Sequence, residues 1–194
     1  RMAKGRRNKT TKRIIQGNDK AEEKWKSRVN FFWKKKREET DRAYFSDTEV
    51  LDQNGNKHKI YSDLLRDNVV VLNFGFSSCK GACPIALKNL KEAFLNKKND
   101  VKNLKILWFS VDARDSVVKL NKLAKQMNLP EKDFYLLTGE QSKINQLISK
   151  FGQKENEPES HTNVVFVGNL STGNWIKSIS IRSSKEIVDS ISAV

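Results

Sequence analysis

The sequence predicts an α/β domain with a central mixed sheet, preceded by a basic helical N-terminal extension, and three observations predict it. Short runs rich in Val, Ile, Leu and Phe (Val69 to Phe76, Leu104 to Val111, Phe134 to Leu137) alternate with longer segments whose apolar residues recur every three or four positions. That alternation is the signature of buried parallel strands joined by helices. The last two strand-like runs are joined by a Ser171-Thr172-Gly173-Asn174 turn, so they pair antiparallel and make the sheet mixed. Charge, finally, is divided unequally along the 194 residues. Residues 1–44 hold 16 Lys and Arg against 6 Asp and Glu, a net of +10, whereas the remainder holds 21 against 17, a net of +4. The domain is therefore expected over 45–194 and the extension over 1–44.

The extension comes first in the chain. Residues 1–18 contain seven Lys and Arg and no acid, with many Asn, Thr and Gly. This composition resembles a mitochondrial targeting sequence, and equally a basic arm without structure of its own. The basic extension over residues 1–40 as a whole seeks polyanions: RNA, an acidic protein surface or anionic lipid headgroups. Residues 19–40 are expected to be helical. Asn18 or Asp19 caps the start, and Ala21, Trp25, Val29 and Phe32 fall on one face, widened by Phe31 and Trp33. That face suits packing on the domain, a partner or a membrane surface. No run approaches the roughly 18 apolar residues needed to span a bilayer. The chain begins with Arg rather than Met, which suggests that a preceding segment has been removed.

Within the domain, residues 48–60 read as a hairpin turned at Asn54-Gly55. His58, between two lysines, is expected to be exposed and silent. Tyr61 to Arg66 is a short helical turn leading to the central strand Val69 to Phe76. After Pro84 a helix runs to about Lys98 with Leu87, Leu90 and Phe94 on one face, and the strand Leu104 to Val111 follows. Residues 115–129 form a helix with Val117, Leu120, Ala124 and Met127 inward, ended by Pro130. After the strand Phe134 to Leu137, Thr138 and Gln141 suit a capping box for a helix over 140–151 that buries Ile144, Leu147, Ile148 and Phe151 and stops at Gly152. A polar loop over 153–160 reaches His161. The strands Thr162 to Gly168 and Asn174 to Ile181 and a helix opened by Ser183 and Glu186, with Ile187, Val188 and Ile191 apolar, complete the chain. With right-handed crossovers, this order is that of a thioredoxin-like fold.

Chemistry concentrates at the end of the central strand. Cys79 and Cys83 are the only cysteines, four residues apart. Placed on a first helical turn they share one face, and Pro84 suits that turn because its missing N–H would be unsatisfied there. The positive end of the helix dipole favours thiolate over thiol. A close pair of this kind serves thiol–disulfide exchange or binds a soft metal; the same residues also suit a buried pair of small hydrophobes. The sequence has no glycine-rich phosphate loop and no His-Glu-x-x-His, and the spacing differs from Cys-x-x-Cys.

The stretch Phe74-Gly75-Phe76-Ser77-Ser78-Cys79-Lys80-Gly81-Ala82-Cys83-Pro84 resembles the Sco/SenC family of copper-binding cytochrome c oxidase assembly factors. The resemblance covers roughly residues 45–194, and Ser110-Val111-Asp112-Ala113-Arg114-Asp115 echoes a second family motif one residue shorter. It implies a thioredoxin-like fold, thiolate ligation of copper as Cu(I) or Cu(II) by Cys79 and Cys83, and His161 as third ligand. A lone histidine would otherwise read as a loop residue bonding the backbone. The resemblance further implies copper delivery to cytochrome c oxidase or reduction of its copper-site cysteines, hence a metallochaperone with thiol–disulfide exchange in reserve. The address it implies is the mitochondrial inner membrane or, in a bacterium, the periplasmic face.

Two departures matter. The family places Pro-Asp-x between the cysteines, where this chain has Lys80-Gly81-Ala82. A lysine there favours thiolate but repels a copper ion. The family's Asp before the histidine is Ser160 here, removing an acidic group that could orient the imidazole. These changes, with the basic extension, support an alternative in which the domain is a structural subunit of a respiratory complex or mitochondrial ribosome.

Overall fold

The computed structural model describes residues 23, 24, 27, 28, 31, 34–152, 164–179 and 183–194. The chain divides into two units, Arg1–Ala43 and Tyr44–Val194. In the first, residues 23, 24, 27, 28, 31 and 34–43 are helical, and Phe31 is exposed. Ala21, Trp25, Val29, Phe32 and Trp33 lie outside the described residues. Within the first unit residues 34–43 form helix α1, and the second unit opens with Tyr44 and Phe45. Tyr44 Oη donates to the Lys150 carbonyl at 2.8 Å, and the buried Phe45 ring lies 5.8 Å from that of Phe151 and 6.1 Å from that of Trp175.

Five strands form the central sheet: β3 (Val69–Gly75), β4 (Leu104–Ser110), β5 (Phe134–Leu137), β6 (Val164–Asn169) and β7 (Asn174–Ile179), in the order β5-β4-β3-β6-β7. β3, β4 and β5 are parallel, with Val71 opposite Ile106 and Ile106 opposite Phe134. β6 is antiparallel to β3 and to β7, which makes the sheet mixed as expected. The central strands are apolar on both faces because both are covered. Leu72 and Phe74 share one buried cluster with Ile60, Leu64, Ile144 and Ile148, whereas Val71 and Trp108 share the other with Leu87, Leu90, Leu120 and Ile187.

The first cluster therefore joins the sheet to a π-helical turn (Ile60–Leu65) and to α4 (Gln141–Lys150). The second joins it to α2 (Ala82–Lys97), α3 (Val117–Gln126) and α5 (Ser184–Ser192). A small hairpin of β1 (Glu49–Leu51) and β2 (Lys57–Lys59) pairs Val50 with His58. The Ser183–Glu186 capping box of α5 is present.

Four expectations change. His58 is half-buried rather than exposed and silent: its Nε2 lies 3.0 Å from Asp52 Oδ2, and its ring meets Tyr135 edge-on at 5.0 Å. α3 begins after a Ser116 cap, which leaves Asp115 outside the helix. Thr138 does not cap α4, whose N-cap is Glu140; its hydroxyl donates instead to the Asp115 carbonyl at 3.1 Å. α2 starts at Ala82, two residues before Pro84, because proline is tolerated throughout a first turn. Among the described residues no helix is long and apolar enough to cross a membrane.

Candidate functional site: a dithiol at the end of the central strand

The carboxyl end of β3 runs into the segment that holds both cysteines. β3 is pinned between β4 and β6, so its last residues leave the sheet in a fixed direction. Gly75 is required there: a Cβ at this position would sit 2.5 Å from Trp108 Cζ2 on the adjacent strand. Phe76 then points into the core, and its carbonyl accepts the Cys79 N–H at 3.2 Å. This closes a tight turn and ends the strand.

The cysteines do not share one helical face, contrary to the expectation from spacing. Cys79 lies in the turn ahead of α2, and Cys83 is the second residue of the helix. The two are not joined in a disulfide. Cys83 is buried at 3% exposure, whereas Cys79 is half-buried and packs against the same apolar cluster.

Their electrostatics differ accordingly. Burial pushes the Cys79 thiol up, but hydrogen bonds from the Cys83 thiol and from the backbone N–H groups of Cys83, Gly81 and Ala82 outweigh it and hold the group below its ordinary value. In effect Cys79 occupies the anion seat at the start of α2, where no other side chain caps the helix. Cys83 is pushed up to about 12, by burial first, then by donation to Cys79 and by the charge Cys79 carries. The result is a pair of unequal members, Cys79 shifted towards the thiolate and Cys83 held as thiol.

Behind the turn sits a polar cluster whose role sequence reasoning did not assign. Asp115, 6% exposed, accepts the Ser77 N–H at 2.7 Å, the Ser77 hydroxyl, and the Ser110 hydroxyl at 2.6 Å. Asp112 is bound by the Arg114 guanidinium, with Nε 2.9 Å from Oδ1 and Nη2 2.9 Å from Oδ2; these bonds hold its carboxyl below the ordinary range. The available signal was the Ser110 to Asp115 motif, in which polar residues follow a nearly continuous apolar strand.

The donor set suits a soft cation. Two sulfurs brought together at a helix start bind Cu(I) in preference to hard ions. Among the described residues no group of three or more His, Cys, Asp or Glu could hold a metal ion. His161 and Ser160 lie outside the described residues, as does the expected loop over 153–160. Lys80, between the cysteines, is exposed.

Comparison with known proteins gives a consistent picture. The SCO1/SenC family model matches residues 36–189. An SCO2-like protein of Rickettsia conorii is 31% identical over 106 residues, covering 54% of this chain and 49% of that protein, so the match spans about half the relative's length. Among solved structures, a SCO1/SenC family lipoprotein from Bacillus anthracis superposes with a TM-score of 0.65 at 20% identity, covering 75% of this chain and 91% of the other. Arabidopsis thaliana ScoI with copper bound gives 0.62 at 20% identity over 74% and 92% of the two chains. Yeast Sco1 with copper bound gives 0.60 at 21% identity over 75% and 84%. These structural likenesses establish a shared thioredoxin-like fold.

Proposed function

The chain belongs to the SCO1/SenC family, and from that premise we propose that it carries copper as cargo on Cys79, Cys83 and His161 for assembly of the copper site of cytochrome c oxidase. The observation that carries this reading is the placement of both sulfurs at the end of the central strand, Cys79 in the turn ahead of α2 and Cys83 in its first turn, against one apolar cluster. Two solved relatives hold copper, and a third is described as having a disulfide switch within a family of cytochrome c oxidase assembly proteins. In this chain two thiolates would clamp Cu(I), and the imidazole would add the arm that also tolerates Cu(II). The partner is then the oxidase subunit that receives the metal. The basic composition of residues 1–18 favours the mitochondrial inner membrane as the address, and the lipoprotein relative favours a membrane face in either setting.

Titration of the reduced full chain with Cu(I) against a competing chelator tests this. One-to-one binding, abolished in Cys79→Ala and in Cys83→Ala and weakened in His161→Ala, is the expected result. Binding no tighter in the wild type than in the cysteine variants would reject copper carriage.

The inequality of the two thiols supports a second reading, reduction of a partner's disulfide. Cys79 would attack as thiolate, breaking the partner's S–S bond to form a mixed disulfide and releasing one partner thiolate; Cys83 would then lose its proton and attack Cys79 Sγ, forming the Cys79–Cys83 disulfide and releasing the second partner thiolate. At pH 8 a thiol with a pKa of about 12 is ionised in roughly one molecule in ten thousand. Iodoacetamide followed by mass spectrometry should therefore label Cys79 at least ~100-fold faster than Cys83. Equal rates would remove the basis for assigning an attacking and a resolving cysteine.

A further inference from the structure

We propose that Asp115 is the positioning residue of the dithiol: its buried carboxylate fixes the Ser77 turn and, through it, the seat of Cys79 at the first amides of α2. The inference rests on the reading that Cys79 and Cys83 are the working pair. A carboxylate that is 6% exposed has given up nearly all its water, and no ion pair to it is present among the described residues. Such a group persists only where protein donors replace the lost solvent.

Here the donors come from two strand ends. Ser77, just after β3, supplies its backbone N–H at 2.7 Å to Oδ2 and its hydroxyl to Oδ1. Ser110, the last residue of β4, supplies its hydroxyl to Oδ2 at 2.6 Å. The backbone of Asp115 is held as well. Its N–H donates to the Asp112 carbonyl at 2.9 Å, and its own carbonyl accepts the Thr138 hydroxyl, just past β5, at 3.1 Å. Asp115 is thus tied by its backbone near the end of β5 and by its carboxylate to the end of β4 and to the turn that leaves the central strand.

That reach ends close to the chemistry. Only Ser78 separates Ser77 from Cys79, and the Cys79 N–H is already committed to the Phe76 carbonyl at 3.2 Å. Holding Ser77 at two points leaves the Cys79 sulfur little freedom. Two serines alone could bond each other, but only a carboxylate offers enough acceptor positions for three donors at once.

Loosening this anchor should favour the oxidised pair. In the reduced pair the Cys79 sulfur accepts from the amides of Gly81, Ala82 and Cys83, and a disulfide sulfur accepts such bonds less strongly. Oxidation by glutathione disulfide forms the Cys79–Cys83 Sγ–Sγ bond, passes two electrons and two protons to the oxidant, and releases two molecules of reduced glutathione.

The test equilibrates the full chain, without oxygen or metal, across graded ratios of reduced to oxidised glutathione, and reads the oxidised fraction by thiol labelling and mass spectrometry. Asp115→Ala is expected to shift the equilibrium about tenfold towards disulfide, which is about 30 mV for this two-electron couple. Ser77→Ala should shift it the same way by less, and Asp115→Asn, which keeps one acceptor oxygen, should recover part of the wild-type value. Asp52→Ala, which removes a buried carboxylate from a different turn, should leave the potential unmoved, separating positioning from general destabilisation. Should Asp115→Ala fail to fold, Ser77→Ala and Asp115→Asn carry the test. Folded variants within twofold of an oxidisable wild type overturn the positioning role alone. A wild-type pair that never oxidises at any ratio overturns the working-pair reading, and the positioning role with it.

Discussion

Two buried carboxylates organise two turns in this domain, and they do so by different logic. Asp52 bonds only its own neighbourhood: the Asn54 N–H at 2.8 Å, the Asn56 N–H and side-chain amide at 3.0 Å each, and His58 Nε2 at 3.0 Å. Asp115 bonds Ser77, 38 residues away, and Ser110 at the end of another strand. The first carboxylate makes a turn that is complete within seven residues. The second makes the shape of one loop depend on the placement of another, so it exists only once the sheet has formed. A local anchor shapes its own segment, whereas a long-range anchor can hold a reactive group against the whole fold.

The largest effect expected from this contrast is on stability. Asp115→Ala strands donors in a buried place, and we expect a loss of about 3 kcal/mol by urea unfolding. Asp52→Ala should cost about half as much, because Asn54 and Asn56 are exposed and water can take over their donors. Equal losses would mean that both carboxylates act only as generic buried acceptors.

A smaller effect is the pH response of the local anchor. Burial alone would raise the Asp52 pKa, but the bonds from His58, Asn56 and Asn54 overcome it and leave the pKa below the ordinary value. A carboxyl depressed in the folded state contributes stability that is present above its unfolded value, about 4, and is lost as pH falls through the folded one. The deficit of Asp52→Asn relative to wild type, about 1 kcal/mol at pH 7, should therefore narrow by pH 3. A deficit that stays constant across that range would show that Asp52 acts by packing rather than as an anion.

The same contrast explains how far the sequence could be read. The strands at 69, 104 and 134 were legible because parallel strands covered on both faces are nearly continuous apolar runs, and α4 and α5 because their apolar stripes recur at helical spacing. The closing hairpin followed from its turn residues. What escaped was non-local. Thr138 and Gln141 form a plausible capping box in sequence, but the Thr138 hydroxyl finds the Asp115 backbone in space. Asp115 looks like the first residue of a helix until Ser77 and Ser110 are seen to converge on it. The cysteine pair was legible as a pair from its spacing and from Pro84. The inequality of its members was not, since it depends on how deeply each sulfur is buried and which amides face it. The third expected ligand, His161, lies outside the described residues.

An effect of similar size is expected at His58, and it tests whether the local anchor stays local. Its ring is half-buried on β2, bonded through Nε2 to Asp52 and edge-on to Tyr135. Replacing it by Ala removes one bond to a charged group and one ring contact, but leaves the Asn54 and Asn56 bonds to Asp52 in place. We expect a loss of about 1 kcal/mol by urea unfolding. Hydrogen exchange should quicken at the Asn56 amide and stay unchanged at Cys79, because the bonds that hold Cys79 reach the hairpin only through Thr138 and Leu51, whose mutual backbone pair does not involve His58. Faster exchange at Cys79 in His58→Ala would show that the two turns are coupled, and Asp52 would then have to be counted among the groups that shape the dithiol.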